Sequence, residues 1–594
     1  IQHAYQKGKS TETALTDLVD RIDRAIDDKE IALCVFLDIE ASSTIMDLTL
    51  ISSCPQGGVL SPVEWSLVVD DLLKELNLRR YYAQGYADDL AILVVGKCAS
   101  VVAGLMQSAL RVVEDWCRRV KLTVNADKTV LIPFTKKRKL EGLRPPTLFG
   151  KTIKFASEVK YLGVILDKGL TWNKHIEYIT KKARCALGSC WKLVSSKWGI
   201  RPKAMLWLYT AVVRPITTYG CVVWQKKAEQ VNCRKNLNSV QRLACLIITG
   251  ALSSTSTASL EALINLTPKA ALKARTAGRT NWSLHESPIM DMPSDAMIKV
   301  YSFSKQYQVL IPAREDWEGK IPIDVYPSDI VWFTDGSRKD NRAGAGFYGG
   351  RPPRGKHASL GEFATVFQAE ISAIIGCLLD SLEMALVNKN INYIFSDRQA
   401  ALKALTAAEV SSKLVLECIE TLNMLGKDNK IRLVWVPGHS NVPGNETADE
   451  LARLGAESPI YGPEPVCGIS PSTTKQVLEE WVRKLSRKQW VETPGLEHSK
   501  ALIPGFNKKL SEIVLTMGRN QLRILTRSLT GHCKLNKHLN RIGVSSLMTC
   551  RFCEEEDETP IHLLLDCPLC TIMCRFARAA PPRRTQSHEV NIIN

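Results

Sequence analysis

Apolar residues recur every three or four positions from Thr11 to Asp27 (TETALTDLVDRIDRAID), which predicts an amphipathic helix after a turn at Gly8–Ser10. The next block, IALCVFLDIE, is a continuous apolar run ending in Asp38 and reads as a buried strand. CPQGGVLSPVEWSLVVDDLLKEL is a Gly-rich turn running into a helix. YYAQGYADDLAILVVG predicts a hairpin with Asp88 and Asp89 at its tip, where Gly85 supplies flexibility. Past residue 325 the pattern becomes βββαβαβα-like. DIVWFTDGS is an apolar run that delivers Asp335 to its end, and AGAGFYGG reads as a glycine-rich return strand. Phe367, Ile371, Ile374, Ile375 and Leu378 recur at helical spacing around Glu370, and INYIFSD closes a strand at Asp397. IRLVWVPGHSNVPGNETADELARLG predicts a strand, a loop holding His439 and a helix holding Asp449. Asn445 as its N-cap would put Asp449 in the first turn, where the helix dipole favours a carboxylate.

The remaining stretches are helical or irregular. Residues 191–325 hold Trp191, Trp198, Trp207 and Trp224 among basic helical-looking segments, and tryptophan at helical spacing is more often core than a nucleic-acid platform. The segments before Asp329 and after Gly455 (ESPIYGPEPVCGISPST) read as linkers. A basic helical stretch follows, then a disordered end at APPRRTQSHEVNIIN.

At 594 residues the chain is too long for one core. A net charge of +17 favours a polyanionic partner, nucleic acid before membrane. No apolar run is long enough to span a bilayer, and the absence of an initiator Met and of a signal-peptide pattern reads as a fragment of an intracellular protein. Most cysteines, such as Cys185, Cys245 and Cys377, sit singly in apolar runs, as small buried hydrophobes of a reducing compartment do.

Three constellations carry chemistry. One acid alone is ordinarily a solvated surface group. Asp335, Glu370, Asp397 and Asp449, ordered at strand ends and on helices, have one common purpose: to converge on divalent metal, since such charge is too unfavourable to cluster without cations. A pair of metals can clamp the attacking water and leaving oxygen of a phosphodiester. His439, on a loop between Gly438 and Gly444, suits a proton carrier. Asp38, Asp88 and Asp89 suit the same two-metal chemistry turned to nucleotidyl transfer. Finally, Cys550, Cys553, His562 and Cys567 form C-x2-C-x8-H-x4-C, a tetrahedral thiolate–imidazole set matched to structural zinc. The acidic run Glu554–Glu558 argues against phosphate contact in that loop.

TDGS, QAE, SD followed by QAAL, and GHSNVPGNETAD together resemble the type-1 ribonuclease H signature. The resemblance implies magnesium-dependent cleavage of the RNA strand of an RNA–DNA hybrid by Asp335, Glu370, Asp397 and Asp449, with His439 assisting. Arg398 stands where relatives carry a small polar residue. VFLDIE, CPQGGVLSP, YADD, LTVNADKT and VKYLGVILD, in that order, resemble the palm of a non-LTR retrotransposon reverse transcriptase. The likeness implies metal binding by Asp38, Asp88 and Asp89, Gln56 and Gly57 beside nucleotide and template, Lys128 near the phosphates, and Leu162–Gly163 on the primer. One departure is large: Asp38 to Cys54 spans 54 − 38 = 16 positions where relatives carry several times that, and Ser43 and Thr44 replace an aromatic gate and an acid. The tail is similar to the CCHC motif of the same retrotransposon class.

The expectation is therefore a multidomain α/β and α+β chain: a shortened palm remnant over 1–190, a helical thumb, connection and linker over 191–325, a ribonuclease H fold with a mixed five-stranded sheet over 326–457, and a basic helical zinc tail over 458–594. Its expected activity is endonucleolytic hydrolysis of RNA–DNA hybrids with two Mg2+, with Zn2+ in the tail and polymerase activity impaired. The expected partners are hybrid, RNA and DNA, without membrane, in nucleus or cytoplasm. The alternative is a catalytically silent nucleic-acid-binding relic.

Overall fold

The computed structural model describes residues 2–4, 6, 8–41, 60–137, 139–195, 198–228, 230–267, 292–317, 321–383, 391–438 and 442–570. Ser43, Thr44, Cys54, Gln56, Gly57 and His439 lie outside the described residues.

The N-terminal region is built on strand Ile31–Ala41. Its alternate side chains enter two different cores. Ile31, Leu33, Val35, Leu37 and Ile39 pack with helices Ser61–Leu78 and Ala99–Val120. Ala32, Cys34 and Phe36 pack with helices Thr11–Asp27, Asn173–Trp191 and Cys221–Ala228. A strand covered on both faces needs an unbroken apolar run, which explains why IALCVFLDIE shows no alternation. It pairs antiparallel with Asp89–Gly96, which continues the hairpin from Tyr82–Tyr86, and with the short strands Leu122–Val124 and Val130–Phe134. Helix Thr11–Asp27 starts at a Ser10–Thr13 capping box, which satisfies two orphan backbone donors.

The second sheet has six strands in the order Gln308–Leu310, Lys430–Trp435, Ile391–Ser396, Ile330–Lys339, Arg342–Gly349, Arg354–Gly361. The first four run parallel, and the last two are added antiparallel. The five expected strands are present, and Gln308–Leu310 adds a sixth from the segment that reads as a linker. The glycines of AGAGFYGG have a steric reason. A Cβ at Gly344 or Gly346 would collide with the backbone nitrogen of Ala456 or Ala452, so the strand is bare where helix Pro443–Glu457 lies on it.

Both segments with linker-like composition are structured. Asp295 is buried and accepts hydrogen bonds from Ser412 Oγ (2.8 Å) and Leu414 N (3.0 Å), at the start of helix Lys413–Leu425. Strand Ala296–Tyr301 pairs with Glu409–Ser412, Tyr307 donates to the Leu405 carbonyl at 2.7 Å, and Trp317 packs edge-on against Phe395. From the other side, Gln368 Nε2 donates to the Gly468 carbonyl (2.8 Å), and Ile469 N donates to the Pro293 carbonyl (2.7 Å). The two segments meet each other and clasp the domain between them. Their polar residues supply the caps and turns of this clasp.

The helices before and after this unit share cores. Leu515 packs among Met205, Tyr209, Val240 and Ile248, while Ala262 and Leu263 pack with Trp490, Ile503, Val514 and Leu522. Trp224 is buried as expected, but Trp191, Trp198 and Trp207 are exposed, against the core expectation. The helices of Trp191 and Trp207 bury the faces carrying Leu187 and Met205 instead, and Trp198 lies in the turn between them. Cys245 and Cys377 are buried, whereas Cys185 is exposed on the outer face of its helix. Among the described residues no helix is long and apolar enough to cross a membrane.

Candidate active site and metal centres

Asp335 sits mid-strand beside the strand end that carries Asp397, because Thr334 pairs in parallel register with Ser396. Glu370, on helix Val366–Glu383, reaches them because Gly336 lets that helix approach: a Cβ there would lie 2.5 Å from Glu370 N. One carboxylate oxygen from each of Asp335, Glu370 and Asp397 falls within a 4.8 Å group. Glu370 is fully buried, neither of its carboxylate oxygens accepts a hydrogen bond, and Arg398 Nε stands 3.4 Å from Oε1. Burial first, then the Asp397 and Asp449 charges, push Asp335 up to about 7. Burial, then Asp335 and Asp397, hold Glu370 well above the usual carboxylate range.

Asp449 lies outside that tight trio but lines the same cleft of about 310 Å³ with Ser337, Arg338, Asn445 and Arg453. It is not in the first helical turn, and Asn445 is not the N-cap. The cap position is Val442, with Pro443 opening the helix, so Asn445 is inside it and Asp449 is in the second turn. Arg453 Nη2 binds Asp449 Oδ2 at 2.5 Å. Arg453 escaped the sequence reading and Asn445 entered it only as a cap, although their i+4 and i−4 spacing from Asp449 puts all three on one helical face. Asn445 is buried with Oδ1 unsatisfied.

In the N-terminal sheet Asp38 faces Asp89 across the antiparallel register, with Asp88 beside it in the turn. The left-handed turn residue is Ala87 (φ 52°); Gly85 lies within the strand, where its missing side chain admits Gln2. Lys128 Nζ lies 3.4 Å from Asp38 Oδ2. Burial, then Asp38, raises Asp88; burial, then Asp38 and Asp88, raises Asp89. Leu162 and Gly163, both at positive φ, turn the hairpin between Glu158–Tyr161 and Val164–Asp167.

In the tail, Cys550, Cys553, His562 and Cys567 offer four ligand atoms within 4.8 Å of one another. Backbone hydrogen bonding from Glu555, opposed by partial burial and joined by Glu556 and His562, draws the Cys553 thiol to about 7. His562 Nδ1 lies 3.0 Å from Glu556 Oε2, the carboxylate–imidazole pairing that orients a metal-binding histidine. The acidic run is thus partly internal. Glu558 is buried against Arg551 Nη2 (2.9 Å) and Asn536 N (2.7 Å), and Asp557 pairs with Lys537 at 2.9 Å.

Two sheets with clustered acids, joined by basic helices, are the features that the comparisons with known proteins bear on. Residues 9–166 match the family model "Reverse transcriptase (RNA-dependent DNA polymerase)", and residues 327–457 match "RNase H". The chain is similar to proteins of insect retrotransposable elements. It is 30% identical over 231 residues to the putative 115 kDa protein in type-1 retrotransposable element R1DM of Drosophila melanogaster, covering 38% of this chain and 21% of that one. It is 25% identical over 251 residues to a retrovirus-related Pol polyprotein from type-1 retrotransposable element R1 of Nasonia vitripennis, covering 41% of this chain and 74% of that protein. The chain therefore spans about a fifth of the Drosophila relative's length. Among solved structures, RNase H1 from Halobacterium salinarum NRC-1 aligns at 22% identity and TM-score 0.19, covering 22% of this chain and 98% of that one. LC11-RNase H1 in complex with RNA/DNA hybrid aligns at 20% identity and TM-score 0.19, covering 22% and 96%.

Proposed function

We propose that the chain hydrolyses the RNA strand of RNA–DNA hybrids in the cleft lined by Asp335, Asp397 and Asp449, with Glu370 at its floor. The observation that carries this reading is Glu370: a fully buried carboxylate, without a hydrogen bond, packed against two more acids. Burying a carboxylate among two further acids, with one guanidinium at 3.4 Å against it, costs several kcal/mol, on the order of the desolvation penalty of an ion in a protein interior. Arg398 offsets one charge of the trio, so the donor set calls for a hard cation, and all-oxygen ligands suit magnesium. Asp335, Glu370, Asp397 and Asp449 would hold two Mg2+, which when bound supply polarisation of the phosphodiester and a more acidic water. Arg453 fixes the Asp449 carboxylate. Arg338 and Asn445, at the cleft wall, bind and orient the backbone phosphates of the hybrid. His439 assists as proton carrier during product departure. Cys550, Cys553, His562 and Cys567 would hold Zn2+, with Glu556 orienting His562.

A second reading, RNA-directed DNA synthesis, is favoured by the Asp38–Asp89 register. Polymerisation also needs primer, template and nucleotide held within a few tenths of an ångström. The 16 positions from Asp38 to Cys54 leave little chain to do so, and we expect no primer extension. A silent binding relic would have no reason to keep four acids on one cleft.

The test is cleavage of a labelled hybrid by the full chain with magnesium, alongside Mn2+ binding followed by electron paramagnetic resonance. Asp397→Asn should lose cleavage and release one class of bound Mn2+. Cleavage at the wild-type rate by that variant would remove the site as drawn.

A further inference from the structure

Helix Arg519–Thr530 carries arginines at 519, 523 and 527, an i, i+4, i+8 row of like charges that is unfavourable unless something opposes it. Arg519 is partly engaged: Nε donates to the Ile200 carbonyl at 2.5 Å and Nη1 to the Ile247 carbonyl at 3.0 Å, in the last turn of helix Val231–Thr249, while Nη2 is buried without an acceptor. Arg523 packs on Gly250, just beyond that helix, and donates to Asn520 Oδ1 at 2.6 Å. Arg527 has no ion pair or hydrogen bond among the described residues, and both Arg523 Nε and Arg527 Nε are buried without an acceptor. Further basic groups close around the loop Ser253–Thr255. Ser254 Oγ lies 3.1 Å from His532 Nδ1 and 3.5 Å from His538 Nε2, and the two imidazole rings meet edge to face at 4.9 Å. Arg242 grips the same loop through the Thr255 carbonyl and Thr257 Oγ1, both at 2.8 Å. The Thr255 hydroxyl is buried and unsatisfied.

Among the described residues the cluster has no counter-ion. Burial, then the charges of His538, Arg541, His498 and Arg242, push His532 down to about 4, and no carboxylate acts against them. Burial, then Arg541, lowers His538; burial, then Arg523, lowers Arg527. The Cys533 thiol beside Arg527 is pushed up to about 11 by burial and stays neutral. Asp557 and Glu558, acids of the zinc loop, are engaged with Lys537 and with Arg551.

We propose that this pocket, formed by Arg523, Arg527, Arg541, His532, His538 and the Ser253–Thr255 loop, binds a backbone phosphate of single-stranded RNA. Arginine and serine donors with imidazole N–H groups match the several oxygens of a phosphate, as they do not match an apolar or cationic ligand. The pocket lies in the seam between the helices that precede the RNase H unit and those that follow it, so a strand seated there would hold both. A polynucleotide is favoured over a free anion because Arg541 and Ser254 are exposed, so a chain bound at the cluster can continue past them. The proposal is independent of hybrid hydrolysis, since single-stranded RNA is not the substrate proposed for the nuclease cleft.

The experiment uses the full chain, zinc-loaded and magnesium-free, with a labelled single-stranded RNA titrated over a range of salt. Arg527→Gln should weaken binding roughly ten- to hundredfold, the size of one lost hydrogen bond to a charged group. It should also reduce the slope of log K against log salt by about 0.7, one phosphate contact on a single strand. The free variant should melt higher than the wild type, because a half-buried guanidinium whose Nε has no acceptor has been removed from beside Arg523; a merely structural arginine would do the opposite. Arg541→Gln, at an exposed position, repeats the binding test where folding is not at stake. Lys484→Gln, on the exposed face of a neighbouring helix, should change affinity far less. Unchanged RNA affinity in both arginine variants would overturn the proposal. So would stabilisation of the wild type by millimolar inorganic phosphate with RNA binding untouched by either variant, which would mark a free-anion site.

Discussion

A strand register sets Asp38 against Asp89 in the reverse transcriptase domain and Asp335 beside Asp397 in the RNase H domain, where a helix adds Glu370. Each trio has one cation of the chain 3.4 Å from a carboxylate: Lys128 at Asp38 and Arg398 at Glu370. The two differ in depth. Asp88 and Asp89 stand on an exposed hairpin tip and are only partly desolvated, whereas Asp335 and Glu370 are buried against a helix that Gly336 admits. An exposed trio tolerates ionisation without a ligand; a buried one must take up protons or metal. Burial, more than the count of acids, sets how strongly a site demands its cation.

The largest expected effect separates the two. Asp335→Asn should reduce hybrid cleavage at least as far as loss of one preorganised electrostatic partner does, roughly 10²–10³-fold, while Asp89→Asn should leave it within about twofold. Equal losses in a side-by-side assay would mean that the domains act as one site. Primer extension by the unaltered chain, abolished by Asp89→Asn, would show that the exposed trio is as competent as the buried one.

The next effect concerns what supports each trio. Asp295 holds the start of helix Lys413–Leu425 from a segment outside the matched RNase H residues. Asp295→Ala should destabilise the RNase H unit by about 1–3 kcal/mol, the penalty for a lost cap and unsatisfied buried donors. Residues 292–470 should accordingly melt well above residues 326–457 expressed alone. Equal melting temperatures would show that the clasp is decorative.

Titration sharpens the contrast further. With Asp335 near 7 in the folded state and near 3.8 when unfolded, its protonated carboxyl contributes stability that is complete below about pH 4 and lost as pH rises through 7. The metal-free RNase H unit should therefore be less stable at pH 8 than at pH 6. Magnesium, which binds the ionised acids, should raise the transition that Asp295→Ala moves by more degrees at pH 8 than at pH 6. A magnesium shift that is larger at pH 6 would contradict the buried-acid account.

Most of both trios was legible in the sequence because an acid that ends an apolar run sits where a strand would otherwise stay apolar or turn on Gly or Asn. The zinc set was legible because its spacing alone brings four ligands together. Harder to read was anything decided by a neighbour distant in sequence. Nothing local to DMPSDAM announces that Asp295 will cap a helix more than a hundred positions later. Trp191 and Trp207 look like core until their helices bury other faces. Asn445 looks like an N-cap because Asn often is one, yet Pro443 starts the helix two residues earlier. The glycines were legible only in part. Gly344 and Gly346 read correctly as a return strand, without showing that they are the bed for helix Pro443–Glu457, and Gly85 looks like the turn residue where Ala87 makes the turn.

That last exchange gives the smallest prediction. The loop between Tyr82–Tyr86 and Asp89–Gly96 has two residues, Ala87 and Asp88, and only Ala87 has positive φ, the pattern of a type II′ turn, whose first central position favours glycine. An alanine in the left-handed region is strained by about 1–2 kcal/mol, and glycine removes that strain while losing about 0.5–1 kcal/mol of unfolded-chain entropy. The net effect of Ala87→Gly should be a gain of up to about 1 kcal/mol, confined to the transition of the reverse transcriptase domain. Trp65 Nε1 donates to the Ala87 carbonyl at 3.1 Å, and that bond uses only backbone at the turn, so it survives the change. The RNase H unit, which already has Gly336 at its point of closest approach, should not respond. Destabilisation by Ala87→Gly would show that the methyl group packs at the tip and that the acid hairpin is held by contact as well as by its turn.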